Sequence, residues 1–584
     1  MRSRITTLPL VGTLVFVLLV SMTGAQGQPP PLPNPKVAAE APEIGKYGGT
    51  YIISQISDPR TFNPIVVQDT ASGAVTNAFS DGLVEQNYIT GEIEPALAES
   101  WTVSPDGRTW VFTLRDKLVW SDGQPVTTDD VVFSLEAIFT QGVDTSFRDL
   151  LTFKGERVQW RKLDARRIQF QTPRSQPPIG LFLRFIGFPV VPKHKLADAL
   201  AKGGAEFTRS WGVNASAREI VGTGPFTFQS FTPGQRVIML RNSRYWKVDK
   251  NGQRLPYLTR FVIQTVPNQD AARLQFLSRQ IDAYGARPRE FAELKRQEQA
   301  GNFTIYDGPE TFTREFLVLN QNPAGVKPPK LTWFQDARFR RAIAQAIDQN
   351  TIIQQVYAGR ATVPTSDISV GNKLLYNPNL RPYQYNIERA QQLLAEAGYR
   401  KGPDGLLRDS QGNVVEFTMA TNAGNQDREA IGNLVRQDLT KLGMRVTFAP
   451  ESFPSLVGKL TGTYNWEAII IGFTGGIEHG TARNLWLSSG DLHMWNPKQA
   501  QPATQWEAQV DQIFEQIATE VDAAKRKQLY WRFQEIVFEN LPMIYFPYVK
   551  TQPALRNTIG NVKLGLQGAT GVLETRYYKG AFRP

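Results

Sequence analysis

The sequence contains no cysteine. Disulfides, thiolate nucleophiles and cysteine-ligated metals are therefore excluded, and no lipid can be carried on an N-terminal cysteine. Histidine is almost as scarce, with only His194, His479 and His493. A Gly-x-Ser-x-Gly nucleophile elbow is missing. "GTGP" (Gly222 to Pro225) lacks the Gly-Lys-Ser/Thr ending of a phosphate loop and reads as a tight turn. No dense Lys/Arg run or aromatic-basic stripe supports nucleic-acid binding. No tandem repeat is visible. The apolar run Leu8 to Val20 is too short for a good membrane span, and no other segment approaches spanning length.

What is present begins with an export pattern. Arg2 and Arg4 precede that apolar run, and Thr23-Gly24-Ala25 supplies the small residues of a cleavage site. The pattern predicts a signal peptide over 1–25, with an uncleaved anchor as the alternative. Cleavage without a lipid-bearing cysteine predicts a freely soluble periplasmic protein rather than a lipoprotein. Loss of Arg2 and Arg4 takes the formal charge from +11 to +9, a modest excess. "QPPPLPNPKVAAEAPE" (Gln28 to Glu43) is proline-rich, and 26–46 reads as an extended tether. The 584 residues, 41% of them hydrophobic, predict two or three domains with a large core. Abundant aromatics, 33 Phe among them, suit the lining of a ligand cleft.

The stretch "LRDKLVWSDGQPVTTDDVVFSLEAIF" (Leu114 to Phe139) gathers five carboxylates and a Trp beside a turn. An acid/base pair, such as Asp122 with Asp130, is one reading. Architecture is the other: Thr127 or Thr128 caps a helix, and Asp129 and Asp130 suit its first turn. Val131, Val132, Leu135, Ile138 and Phe139 then form one apolar stripe.

"WTVSPDGRTWVFTLR" predicts a hairpin turned at Pro-Asp-Gly. Ala71, Val75, Ala78 and Phe79 predict a helix. Phe339, Ala342, Ile343 and Ala346 predict another, as do Ala390, Leu393, Leu394 and Ala397, with Gly398 placed for a left-handed end. "VVEFTMAT", "AIGNLVRQDLTKLG" and "MRVTFAP" read as strand, helix, strand. That βαβ unit would present a ligand edge at the carboxyl ends of its strands. The fold class is α/β with a β-rich early insert.

"GIEHGTARNLWLSSGDLHMWNP" places Glu478, His479, Asp491 and His493 in one segment. Imidazole and carboxylate suit a metal, but the spacing matches no standard site, and loop polar contacts are the competing reading. Trp486, Trp495 and Asn496 would stack on and hydrogen-bond a ligand, unless they are aromatic core. "WEAIIIGF" reads as a buried strand ended by Gly475 and Gly476, where backbone amides can approach a ligand.

"LAESWTVSPDGRTWVFTLRDKLVWSDGQPVTTDDVVFSLEAI" resembles the signature of the bacterial family 5 extracellular solute-binding proteins. "VGTGPFTFQSFTPGQRVIMLRNSRYW", "LPYLTRFVIQTVPN", "DARFRRAIAQAIDQNTII", "ERAQQLLAEAGYRKGPDG" and "LPMIYFPY" agree in order, so the resemblance runs from Tyr47 to Val549. It implies a two-lobed periplasmic binding protein of the cluster C type, with an extra β-rich domain and no reaction. Lobe I would comprise 47–80, 206–311 and 549–584, the insert 81–205, and lobe II 312–548. It also implies a monomer without cofactor that closes on a small molecule and serves an ABC permease. Peptides are the first ligand class, with oligosaccharides or other solutes as the alternative. An exported carboxylate-dependent hydrolase, and a peptide chaperone or signalling receptor on the same scaffold, are the competing functions.

The family's peptide binders carry Trp-x-x-Asp after this apolar strand, and the Asp pairs with the peptide's amino group. Here Phe473 replaces the Trp, Gly476 stands where the Asp is expected, and Glu478 is the next acid. Phe473, Thr474, Gly475, Gly476 and Glu478 are therefore candidate ligand contacts. Trp486, Trp495 and Asn496 join them, with Ser57 and Asp58 near the first strand and Phe546 in the late one.

Overall fold

In the first half of the chain, Thr50–Gln55, Phe226–Thr232, Arg236–Arg241 and Arg260–Thr265 form one sheet, with Thr50–Gln55 at its edge, parallel to Arg260–Thr265. The computed structural model describes residues 35–581, apart from 39, 40, 42, 154, 175–187, 477–481, 521 and 569. Helix Thr70–Phe79 follows the first strand, capped by Asp69, whose carboxylate accepts from the Ser72 N–H at 2.8 Å.

The expected hairpin is Ala98–Val103 against Thr109–Leu114, and it belongs to a second four-stranded sheet with Gln159–Lys162 and Arg167–Gln171. In Thr109–Leu114 the residues Trp110, Phe112 and Leu114 point inward and are fully buried. That inserted sheet shares one continuous apolar core with the first: Trp110, Phe112 and Trp120 belong with Tyr51 and Phe261. Gly222 and Gly224 pack against the Phe79 backbone, where a Cβ on Gly222 would lie 1.8 Å from the Phe79 carbonyl oxygen.

Asp122, Asp129 and Asp130 of the Leu114–Phe139 stretch each have a structural partner. Helix Thr128–Phe139 starts at Thr127, and Thr127 with Asp130 forms a reciprocal capping box. Asp130 accepts the N–H of Thr127 at 2.9 Å and of Lys193 at 3.0 Å. Asp122 faces His194 Nε2 at 2.8 Å, and Asp129 pairs with Lys162 at 2.7 Å.

The second half is built on a five-stranded sheet. Its order is Arg445–Glu451, Glu416–Asn422, Ala468–Phe473, Arg314–Leu319, Met543–Tyr545. Glu416–Asn422 runs parallel to Arg445–Glu451, across helix Gln426–Lys441, as the sequence pattern predicts. The sheet is covered on both faces. Alternate residues serve the two cores: Leu317, Leu319 and Ile470 on one side, Phe316, Val318 and Ile471 on the other. Gly398 has φ +93 beyond helix Ile387–Glu396, a conformation an L side chain resists.

Two chain segments join the halves side by side. Thr311 N–H donates to the Val549 carbonyl at 2.9 Å, and Thr551 N–H to that of Pro309 at 2.9 Å. Beyond them Pro553–Arg556 pairs with Ala283–Gly285 and Phe303–Ile305. The last part of the expected tether is in fact docked. Lys36–Val37 pairs with Lys247–Val248, Lys36 forms ion pairs with Glu85 and Glu94, and Ala38 is buried. Two buried alanines and a matched lysine supply the attraction that a proline-rich composition does not reveal. The proposed signal peptide lies outside the described residues. No helix among the described residues is long and apolar enough to cross a membrane.

Candidate functional site

A cavity of about 680 Å³ lies between the halves. From the first half it takes Ile56 and Ser57, just past the first strand, with Val67, Gln68 and the opening turns of helix Thr70–Phe79. From the second it takes the carboxyl ends of two neighbouring strands, Asn422 and Ile471 to Phe473. Open strand ends expose backbone groups that the sheet no longer pairs, which is why ligands gather there. Phe453, Val457, Leu460, Met494 and Pro497 give the cavity an apolar wall.

Arg428 is a fixed cation in this lining. It sits in the first turn of helix Gln426–Lys441, whose cap Asn425 accepts its N–H at 3.1 Å. Its Nε donates to Glu315 at 3.0 Å and its Nη1 to the Asn422 side-chain oxygen at 2.8 Å. Gly472 makes room for it, since a Cβ there would stand 2.8 Å from Arg428 Nη2. Asp69 and Asp491 are the acids of the lining. Asp69 is engaged by both Ser72 groups. Burial pushes the Asp491 carboxyl up, against the pull of Lys498 at 3.5 Å.

A second cavity of about 290 Å³ shares Phe473, Thr474 and Leu492 with the first and adds Gly475, Gly476, Ser146 and Arg314. Gly475 is pressed on the Phe312 carbonyl, 2.0 Å from where its Cβ would be, so no larger residue fits there. Phe473 is half-buried, with its ring tilted on Phe316 at 5.6 Å.

The structure thus brings together Ser57, Phe473, Thr474, Gly475 and Gly476 along two connected cavities. Other candidates lie elsewhere. Trp486 and Trp495 are core residues with no free ring face. The Trp486 indole donates to Asp367 at 3.2 Å and that of Trp495 to Glu507 at 2.9 Å. Phe546 is 1% exposed in the opposite core. Asp58 braces a turn, accepting from Gly234 N–H and Thr265 Oγ1, both at 2.7 Å. Asn496 is absent from both linings, although Met494 and Pro497 on either side of it face the larger cavity. Glu478 and His479 lie outside the described residues. His493 is fully buried, with Nε2 facing Glu507 at 3.2 Å and Nδ1 facing the Leu485 carbonyl at 3.0 Å. No grouping of three or more His, Asp or Glu among the described residues is arranged to hold a metal. Sequence reasoning missed Arg428, Asn422 and Asn425, although the carboxyl-edge rule applied to the βαβ unit points to them.

Two sheets joined by paired connections, with a largely apolar cavity between them that carries a few charged and amide side chains, define a mixed α/β protein with a cleft between two halves. Residues 92–511 match the family model for bacterial extracellular solute-binding proteins, family 5. The chain belongs to that family. It is 28% identical over 518 residues to a probable ABC transporter-binding protein of Deinococcus radiodurans, covering 85% of this chain and 86% of the relative. Its fold is that of two-lobed periplasmic binding proteins. Bacillus subtilis AppA, an oligopeptide-binding protein solved with a nonapeptide, superposes with a TM-score of 0.78 at 22% identity, over 92% of this chain and all of that one. MelB of Agrobacterium fabrum, solved with stachyose, superposes with a TM-score of 0.82 at 21% identity, over 94% of this chain and 88% of that one.

Proposed function

We propose that this protein captures a peptide between its halves and delivers it to the membrane permease of an ABC importer. The observation that carries the peptide reading is Arg428, held by Glu315 and Asn422 at the strand ends, opposite a lining that also contains carboxylates. A zwitterion with amide groups suits that arrangement of charge, amides and aliphatic walls. The oligosaccharide reading loses its two expected stacking platforms, because Trp486 and Trp495 are in the core. Relatives that bind oligopeptides support the same class.

The protein in this reading is exported through cleavage after Ala25, works as a periplasmic monomer and catalyses nothing. The two lobes follow 47–80, 206–311 and 549–584 for the first and 312–548 for the second, with 81–205 as the insert. The sharing of one core between insert and first lobe makes those two move as a body. Glu478 offers a negative charge for the peptide's amino end.

Mass spectrometry of small molecules released from the denatured protein tests this reading. Peptides are the expected finding. A neutral sugar would overturn the peptide class while keeping capture. Calorimetry of Glu478→Gln with the released peptide then tests the amino anchor, and unchanged affinity removes Glu478 from that role.

A further inference from the structure

Two contact zones hold the halves together around the cavity. In the first, the start of helix Gln426–Lys441 meets the start of helix Gln269–Leu277. The Gln426 side-chain oxygen accepts from Arg287 Nη1 at 2.7 Å and from Asp270 N–H at 3.1 Å. The Gln426 amide donates to Asp270, and Gln269 N–H donates to the Gly424 carbonyl at 3.2 Å. In the second, Arg483 reaches from the late segment into the insert, donating to the carbonyls of Asp149 and Thr152, both at 3.2 Å. Asn484 donates to the Asp149 carboxylate at 2.7 Å. The cavity lining adjoins both zones, through Asn425 and Arg428 at the first and Asp491 and Leu492 at the second.

Each zone holds one carboxylate, Asp427 buried and Asp149 half-buried, that opening of the halves would return more fully to water. Asp427 is 9% exposed, and its Oδ1 has no hydrogen-bond partner. Arg287 and Arg289 face it with positive charge, Glu315 and Glu290 with negative charge, and Arg428 follows it on its own helix. Asp149 is faced by Asp491, by Arg483 and by its neighbour Arg148.

We propose that closure of the cleft is proton-linked, with Asp427 and Asp149 as the two groups whose neutralisation holds the halves shut. The proposal rests on the capture reading, since it concerns the closing motion that capture requires. Burial pushes the Asp427 carboxyl up to about 7 and that of Asp149 up to about 6. A carboxyl raised in the closed state binds its proton more tightly there than in the open state. Closure is therefore favoured below these values and weakened as pH rises through 6 and then 7. An importer component built this way would hold its cargo more firmly in a mildly acidic compartment.

The absence of cysteine permits a direct test. Spin labels at Leu274→Cys and Leu374→Cys, both strongly exposed positions in different halves, report the separation by pulsed electron resonance. In protein stripped by dialysis at pH 8.5, the closed-to-open ratio is expected to rise about tenfold or more by pH 5.5. With Asp427→Asn and Asp149→Asn added, it should stay high at both pH values. A doubly labelled protein with Asp427 and Asp149 intact whose separation ignores pH overturns the proposal, even if the Asn variants fail to fold. Asn variants that titrate like their parent also overturn it. A shortening caused by the heat-released supernatant of the purified protein, without any pH response, overturns the latch and leaves capture standing.

Discussion

Arg314 and Asp367 form an ion pair, Nε to Oδ1 at 2.7 Å, with neither side chain more than 5% exposed. Arg314 lies opposite Phe473 in the register of the central sheet, and the same Asp367 receives the Trp486 indole N–H. One buried carboxylate therefore ties the strand beneath the binding surface to the aromatic core behind it. A charge buried with its partner is tolerated, whereas one left alone is not.

Asp367→Ala should consequently destabilise the protein by about 3–5 kcal/mol, because Arg314 is left buried and uncompensated. Trp486→Phe keeps an aromatic ring but removes the indole N–H from a buried carboxylate and leaves a small cavity, at a cost of about 2–4 kcal/mol. Denaturant titrations measure both. Ligand retention in Trp486→Phe distinguishes a core role from a binding one: retention at the parent level is expected, and a selective loss would return that ring to the binding surface.

Glu507 gives the core a pH signature. Burial opposes its ionisation, but the hydrogen bond and charge of His493, with Gln499 and Trp495, hold it down to about 2. A carboxyl depressed in the folded state stabilises the protein above its unfolded pKa and loses that contribution as pH falls toward the folded one. The window runs from about pH 5 to pH 2 and is worth about 3 kcal/mol by linkage. Glu507→Gln should be less stable at pH 7 and should lose less stability on acidification across that window. Thermal unfolding followed from pH 7 to pH 3 shows whether the acid limb flattens.

Much of the frame was legible because it rests on local rules. The 2.0 and 3.6 periods, the Pro-Asp-Gly turn, the Thr127 cap and Gly398 each act within a few residues. The site was only half legible. Gly475 and Phe473 announced themselves as the end of a buried strand. Arg428 did not, because its placement depends on Glu315, which is distant in sequence and reaches it only across the sheet. Trp486 and Trp495 misled for the same reason. Composition says that an indole can stack on a ligand, but Asp367 and Glu507 decide that these two face inward. Docking of Lys36 on Glu85 and Glu94 is likewise a long-range charge match hidden inside a proline-rich stretch.

Thr127→Ala separates architecture from chemistry in the Leu114–Phe139 stretch. Losing the cap should cost about 1 kcal/mol and leave ligand affinity unchanged. Asp122→Asn should alter no peptide or glycoside turnover, because none is expected in the parent protein. Turnover in the parent that Asp122→Asn abolishes, with the fold intact, would restore the hydrolase reading.

Arg428 carries the sharpest functional prediction. Its side chain is 12% exposed and its guanidinium already turned by Glu315 and Asn422, so little order remains to be imposed when an anion arrives. Arg428→Gln removes the charge while keeping a polar side chain. A hydrogen bond to a charged partner is worth about 1.5–3 kcal/mol, so affinity for a peptide should fall roughly 10- to 150-fold. Glu315→Gln should act in the same direction but less strongly, since it frees the guanidinium to wander without discharging it. Calorimetry with the released peptide and with its C-terminal amide resolves the contact. If Arg428 meets the terminal carboxylate, amidation should weaken binding to the parent and make little further difference to Arg428→Gln. Equal losses from amidation in both proteins would place the carboxylate elsewhere, and an unchanged affinity in Arg428→Gln would remove the observation on which the peptide reading rests.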